Sequence, residues 1–70
     1  MNYDEMVKND MPRWVIVDLN TSKILDECWT WFNADCAARD AELMGCYAVR
    51  IYDRMDKEDC KRLEWFKRRE

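Results

Sequence analysis

Histidine is absent from this 70-residue chain, and glycine and proline occur once each. Without histidine, the chain has neither a histidine general base nor a histidine-ligated zinc site. A single glycine excludes a glycine-rich phosphate-binding loop. The longest apolar run, Trp14-Val15-Ile16-Val17, is far shorter than a membrane span. The four cysteines form no C-x-x-C pair and are therefore expected to be plain thiols: Cys28, Cys36, Cys46 and Cys60.

Large apolar side chains are abundant, since 49% of the residues are hydrophobic and four are tryptophan. An average fold of this mass exposes roughly 4,700 Å², which leaves enough buried surface for one small core. We therefore predict a single domain over residues 12–70, preceded by a flexible, acidic N-terminal arm over residues 1–11. The N-terminus lacks the apolar stretch of a signal peptide, so we expect the protein in the cytoplasm of the producing or infected cell, with reduced thiols.

The pattern of apolar residues predicts an α+β fold in the order β-β-α-β-α, with a three-stranded, mainly antiparallel sheet packed by one or two helices. Arg13–Leu19 and Ile24–Trp29 read as a hairpin, in which Ser22 occupies the left-handed position that glycine would favour. A third strand is predicted over Tyr47–Asp53.

Two helices follow from capping signals and helical spacing. Asn33 is a candidate N-cap and Gly45 a stop signal for the first helix. One stripe of this helix is expected to face the sheet: Ala34, Ala37, Ala38, Ala41 and Met44. Asp56 is the predicted N-cap of a second helix, Lys57 to about Arg68, which would end in basic residues.

In size, acidity and the strand-strand-helix-strand pattern of Arg13–Asp53, the chain resembles the small accessory proteins encoded by bacteriophages. Many members of that class bind and inhibit a host enzyme or defence complex. The resemblance implies a modulator of a host complex, and it carries no functional residue over to this sequence because no shared motif supports it.

The net charge of −3 is unevenly distributed. Residues 61–70 contain five cations and two carboxylates, so residues 1–60 carry −6. An acidic body disfavours a general nucleic-acid binder. Two nucleic-acid alternatives remain open, namely a regulator that binds through the basic C-terminal helix and an acidic mimic of the phosphate backbone.

Aromatic residues exceed what a small sheet and one helix can bury, which predicts a protein-binding surface. The residues expected to bind a partner are Trp29, Trp31, Tyr52, Trp65, Arg50 and Arg62. The chain is thus expected to be a non-enzymatic protein-binding module, an inhibitor or modulator that occludes part of a larger protein complex. Pairing of two copies through the same aromatics is compatible with so small a core.

Catalysis is not expected. Cys36, near the start of the first predicted helix, is the sole candidate nucleophile, and it has no histidine base. Paired-carboxylate chemistry requires a cleft for which the chain has little room. We therefore predict no catalytic residue, no cofactor, no metal and no membrane association.

Overall fold

The structure, a computed structural model, describes residues 2–68. It confirms a small α+β domain with an antiparallel three-stranded sheet, and residues 14–63 follow the predicted order β-β-α-β-α. A short helix precedes this core and a two-residue strand follows it. The elements are α1 (Tyr3–Lys8), β1 (Trp14–Asp18), β2 (Lys23–Cys28), α2 (Trp31–Leu43), β3 (Val49–Asp53), α3 (Lys57–Leu63) and β4 (Lys67–Arg68).

The strands lie in the order β3-β1-β2-β4. The central strand β1 is antiparallel to both β2 and β3, whereas β4 runs parallel to β2 and pairs with Lys23 and Ile24. The β1–β2 register shifts between Ile16 and Val17, so β2 carries one extra residue there. Ser22 has φ 58°, which confirms the left-handed residue predicted in the hairpin.

Helix α2 covers one face of the sheet. Ala34 and Ala38 pack on Ile16, and all three are buried. Small side chains at these positions allow the helix axis to approach the strands closely. The predicted stop is confirmed, because Gly45 follows the C-cap and has φ 102°.

The predicted start of α2 and the predicted inward position of Met44 are wrong. Thr30 is the N-cap, and its hydroxyl oxygen accepts a hydrogen bond from the Asn33 amide at 3.2 Å. The extended backbone of Thr30 lets Trp31, Phe32 and Asn33 enter the first turn, so the helix begins three residues earlier than an N-cap at Asn33 would allow. Met44 is itself the C-cap and is exposed, because the helix ends before its side chain reaches the sheet.

The opposite face of the sheet is covered by the C-terminal segment. Val15, Val17, Ile24 and Tyr52 form a buried cluster, and Leu63 and Phe66 pack against it. Asp56 caps α3 as predicted, accepting hydrogen bonds from the Glu58 and Asp59 amides. Both faces of the sheet therefore carry a helix, α2 on one side and α3 on the other.

The predicted extension of the last helix to Arg68 is wrong. Helix α3 ends at Leu63, and the amides of Trp65 and Phe66 bond to carbonyls three residues earlier. This tight turn lets the Phe66 ring pack on Tyr52, with ring centroids 5.4 Å apart. Lys67 and Arg68 then form β4 beside β2, so they are not helical. Arg69 lies outside the described residues.

The N-terminal segment contains a helical turn where the sequence predicts a flexible arm. Helix α1 is capped by Asn2, whose side chain accepts from the Glu5 amide at 2.9 Å. Met6 is fully buried, and the Met11 amide bonds back to the Met6 carbonyl. Flexibility of residues 1–11 is a dynamic property, and it stays a prediction.

Among residues 2–68, every helix is too short and too polar to cross a bilayer.

Candidate protein-interaction surface

An aromatic surface forms where β2 passes into α2. Tyr3 of α1 packs edge-on against Trp29, with ring centroids 6.1 Å apart. Trp14 of β1 packs edge-on against Trp31, with centroids 5.0 Å apart. We use the name aromatic surface for Tyr3, Trp29, Trp31 and Phe32, all of which are exposed. Three separate elements thus bring large rings together at one end of the sheet.

Local backbone geometry explains this arrangement. Thr30, between the two tryptophans, has φ −116° and ψ 150°, and the helix begins immediately after it. The extended residue separates the side chains, so that Trp29 contacts α1 while Trp31 contacts β1. Edge-to-face ring pairs add about 0.5–1.5 kcal/mol beyond their buried area, which holds the exposed rings in place before any partner binds.

A cation supports the inner side of this surface. The Arg13 guanidinium lies 4.6 Å from the centre of the Trp14 ring and forms a bidentate pair with Asp53, with both N–O distances 3.0 Å. The hydrogen bonds from Arg13 lower the pKa of Asp53 below its ordinary value. The Arg13–Asp53 ion pair holds the guanidinium of Arg13 over the Trp14 ring, and Trp14 in turn packs against Trp31.

The structure distributes the six predicted partner-binding residues over different regions. Trp29 and Trp31 belong to the aromatic surface. Trp65 is 82% exposed, but it follows α3 in the chain and is not part of the aromatic surface. The remaining three belong to the α3 side of the molecule: Arg50, Tyr52 and Arg62.

Tyr52 is buried in this conformation and is not an exposed anchor, so its contact with a partner stays a prediction. It is 3% exposed because Phe66 and Leu63 cover its face of the sheet. Arg50 is exposed and stacks 4.9 Å from the centre of the Tyr52 ring. Arg62 is exposed on α3.

Sequence reasoning missed several exposed apolar residues. Tyr3 belongs to the predicted flexible arm, and its contact with Trp29 is a tertiary contact that sequence patterns do not indicate. Phe32 is 74% exposed because it lies on the solvent side of the first turn of α2. Tyr47 is 92% exposed because β3 begins at Val49 and not at Tyr47. Of these three residues, only Phe32 could have been found from the sequence, because helical spacing counted from Thr30 as the N-cap places it on the solvent side.

Two shallow grooves flank the sheet. One, of about 320 Å³, lies between β2 and α3. Apolar residues line most of it, including Met11, Ile24, Leu63 and Phe66. The other, of about 440 Å³, lies beside α2 and has two carboxylates in its lining, Asp26 and Asp40.

Arg54, which lines the first groove, forms a buried ionic contact. Arg54 is 5% exposed and donates to the Glu27 carboxylate and to the Pro12 carbonyl. Its charge is therefore paired inside the fold, and it ties the end of β3 to β2 and to the segment before β1.

The four cysteines are free thiols that differ in burial. Cys36 is exposed, and the other three are partly buried. Burial, with a smaller contribution from the Asp26 charge, raises the pKa of the Cys28 thiol, which favours its protonated and less nucleophilic form. Within residues 2–68, no three cysteine, aspartate or glutamate side chains cluster in a way that could hold a metal ion.

The chain matches no protein-family model, no curated protein and no solved structure.

Proposed function

We propose that this protein is a non-enzymatic protein-binding module that inhibits or modulates a larger protein complex by occluding part of its surface. The aromatic surface is the contact region, with Trp29, Trp31 and Phe32 as anchors. Exposed charges around it would set the register of docking and the association rate.

The single observation that carries this proposal is the convergence of exposed rings at one end of the sheet. Two ring pairs hold Trp29 and Trp31 in defined orientations. Ordered aromatic side chains lose little conformational entropy on binding, so they give more affinity per residue than flexible ones.

Capture from a lysate of the cell that naturally makes the protein tests this proposal. Immobilised wild-type chain should retain a stoichiometric protein partner, and Trp31→Ala together with Phe32→Ala should abolish that retention. Trp65→Ala is the matched control, because it removes an exposed tryptophan that is not part of the aromatic surface. Circular dichroism confirms that each variant is folded.

Two results would contradict the proposal. One is the absence of any stoichiometric protein in the wild-type eluate. The other is retention by the Trp31/Phe32 variant with loss in Trp65→Ala, which would move the contact to the C-terminal segment. Light scattering at tens of micromolar tests the homodimer separately, since a dimer would double the measured mass.

A further inference from the structure

The solvent side of α2 carries a stripe of four exposed residues. Phe32, Cys36, Arg39 and Leu43 are all exposed. Their spacing of four, three and four residues places them within an arc of about 60° on a helix. Ala34 and Ala38, which face the sheet, lie on the opposite side. We call these four residues the outer stripe.

Apolar residues occupy both ends of the outer stripe. Phe32 is 74% exposed and Leu43 is 85% exposed. Leu43 lies eleven positions after Phe32, which corresponds to about 17 Å, or three helical turns. The four-three-four spacing of the stripe is the spacing at which residues of one helix contact a second helix packed along it.

The negative charge of α2 beside the outer stripe favours a partner with basic side chains. Helix α2 has three carboxylates and one cation, a net charge of −2. The cation, Arg39, lies 3.3 Å from the Asp35 carboxylate and is already paired. Asp40 and Glu42 are exposed and add negative charge along the flanks of the stripe.

We propose that the outer stripe binds a helix of a partner protein that has an apolar ridge and basic flanks. Phe32 belongs both to the stripe and to the aromatic surface, so this inference rests on the proposed function and specifies the partner's chemistry. Apolar side chains of the partner helix lie against Phe32 and Leu43, and its lysine or arginine side chains lie against Asp40 and Glu42. A second copy of α2 fits poorly, because two helices of charge −2 would face each other.

Titration of the ¹⁵N-labelled chain with a synthetic helical peptide tests this proposal. The probe is an 18-residue peptide with leucines on one face and lysines on the flanks. We expect amide shifts concentrated in residues 32–43, and binding that weakens as salt is added. A peptide of the same pattern, with glutamate in place of each lysine, should bind about tenfold more weakly or not at all.

Substitutions separate the stripe from general charge attraction. Phe32→Ser combined with Leu43→Ser should weaken binding of the lysine peptide about tenfold or more, because truncated anchors in an interface typically cost more than a factor of ten. Tyr47→Ser is the matched control, since Tyr47 is 92% exposed and lies outside the stripe. Asp40→Asn combined with Glu42→Gln should reduce the salt dependence.

Three outcomes would overturn the inference: no shifts at millimolar peptide, equal affinity in the Phe32/Leu43 variant, or shifts centred outside α2. Concentration-dependent shifts in α2 without peptide would also overturn it, because a second copy would then occupy the stripe. If the peptide fails but lysate capture still depends on Trp31, the proposed function stands and only the helical, basic partner is wrong.

Discussion

Substituting Glu27 by glutamine is expected to destabilise the protein by about 2 kcal/mol. The guanidinium of Arg54 is 5% exposed, and the Glu27 side chain is 22% exposed. Removing one partner from a buried ion pair costs about 3–5 kcal/mol, because the other charge stays buried and uncompensated. The partial exposure of Glu27 and the remaining amide oxygen of glutamine both reduce that figure. A chain of this length has a free energy of unfolding of about 4–10 kcal/mol, so the loss is a large fraction of the total.

Urea unfolding followed by tryptophan fluorescence measures this effect. With a slope near 1 kcal/mol per molar urea, the midpoint should fall by about 2 M. Glu42→Gln is the matched control, because Glu42 is exposed on α2 and its loss should change the free energy of unfolding by less than about 0.5 kcal/mol. The double variant Glu27→Gln/Arg54→Met should recover part of the loss, because it also removes the buried cation.

An unchanged midpoint in Glu27→Gln, at an unchanged slope, would refute the reasoning. It would mean that Arg54 finds water or another acceptor without cost, so that the ion pair does not hold β2 and β3 together. A loss equal to that of Glu42→Gln would have the same meaning.

Three further expectations concern stability. The pKa of Asp53 is lowered in the fold, mainly by hydrogen bonds from Arg13, so this pair stabilises the protein above the ordinary pKa of about 3.9 and loses that contribution as pH falls through the lower folded value. Asp53→Asn should therefore flatten the decline of the free energy of unfolding between about pH 5 and pH 2. An unaltered decline in this variant would contradict the expectation. Ser22→Gly should stabilise the protein by about 0.5 kcal/mol and so raise the thermal midpoint, because φ is 58° at this position. Thr21→Gly in the same turn should lower the thermal midpoint. Ile16→Ala should cost about 3–4 kcal/mol in urea unfolding, since its side chain is fully buried beneath α2, and a cost below about 1 kcal/mol would contradict that packing.

Much of the fold could be predicted because its signals are local. The Asp56 cap, the Gly45 stop and the left-handed Ser22 each depend on a few neighbouring residues. The alternation in β1 likewise separates Ile16 from Val15 and Val17, and the structure places them on opposite faces of the sheet.

The candidate site could be predicted only in part. The excess of aromatics correctly indicated exposed tryptophans, and Trp29, Trp31 and Trp65 are exposed. The same composition could not show that Tyr52 is buried, because its cover, Phe66, comes from a turn that follows a helix shorter than predicted. It also could not bring Tyr3 to Trp29, since these residues lie far apart in the chain.

The sequence by itself determined the class of fold, the order of the five elements from β1 to α3 and the surplus of large apolar side chains. These follow from periodicity, capping residues and composition, which act over a few residues or over the chain as a whole. Only the tertiary structure decided which rings meet, which face of α2 stays open and where Arg54 is neutralised. Those outcomes depend on packing between segments distant in sequence, where burial and charge pairing are settled by the shape of the whole fold.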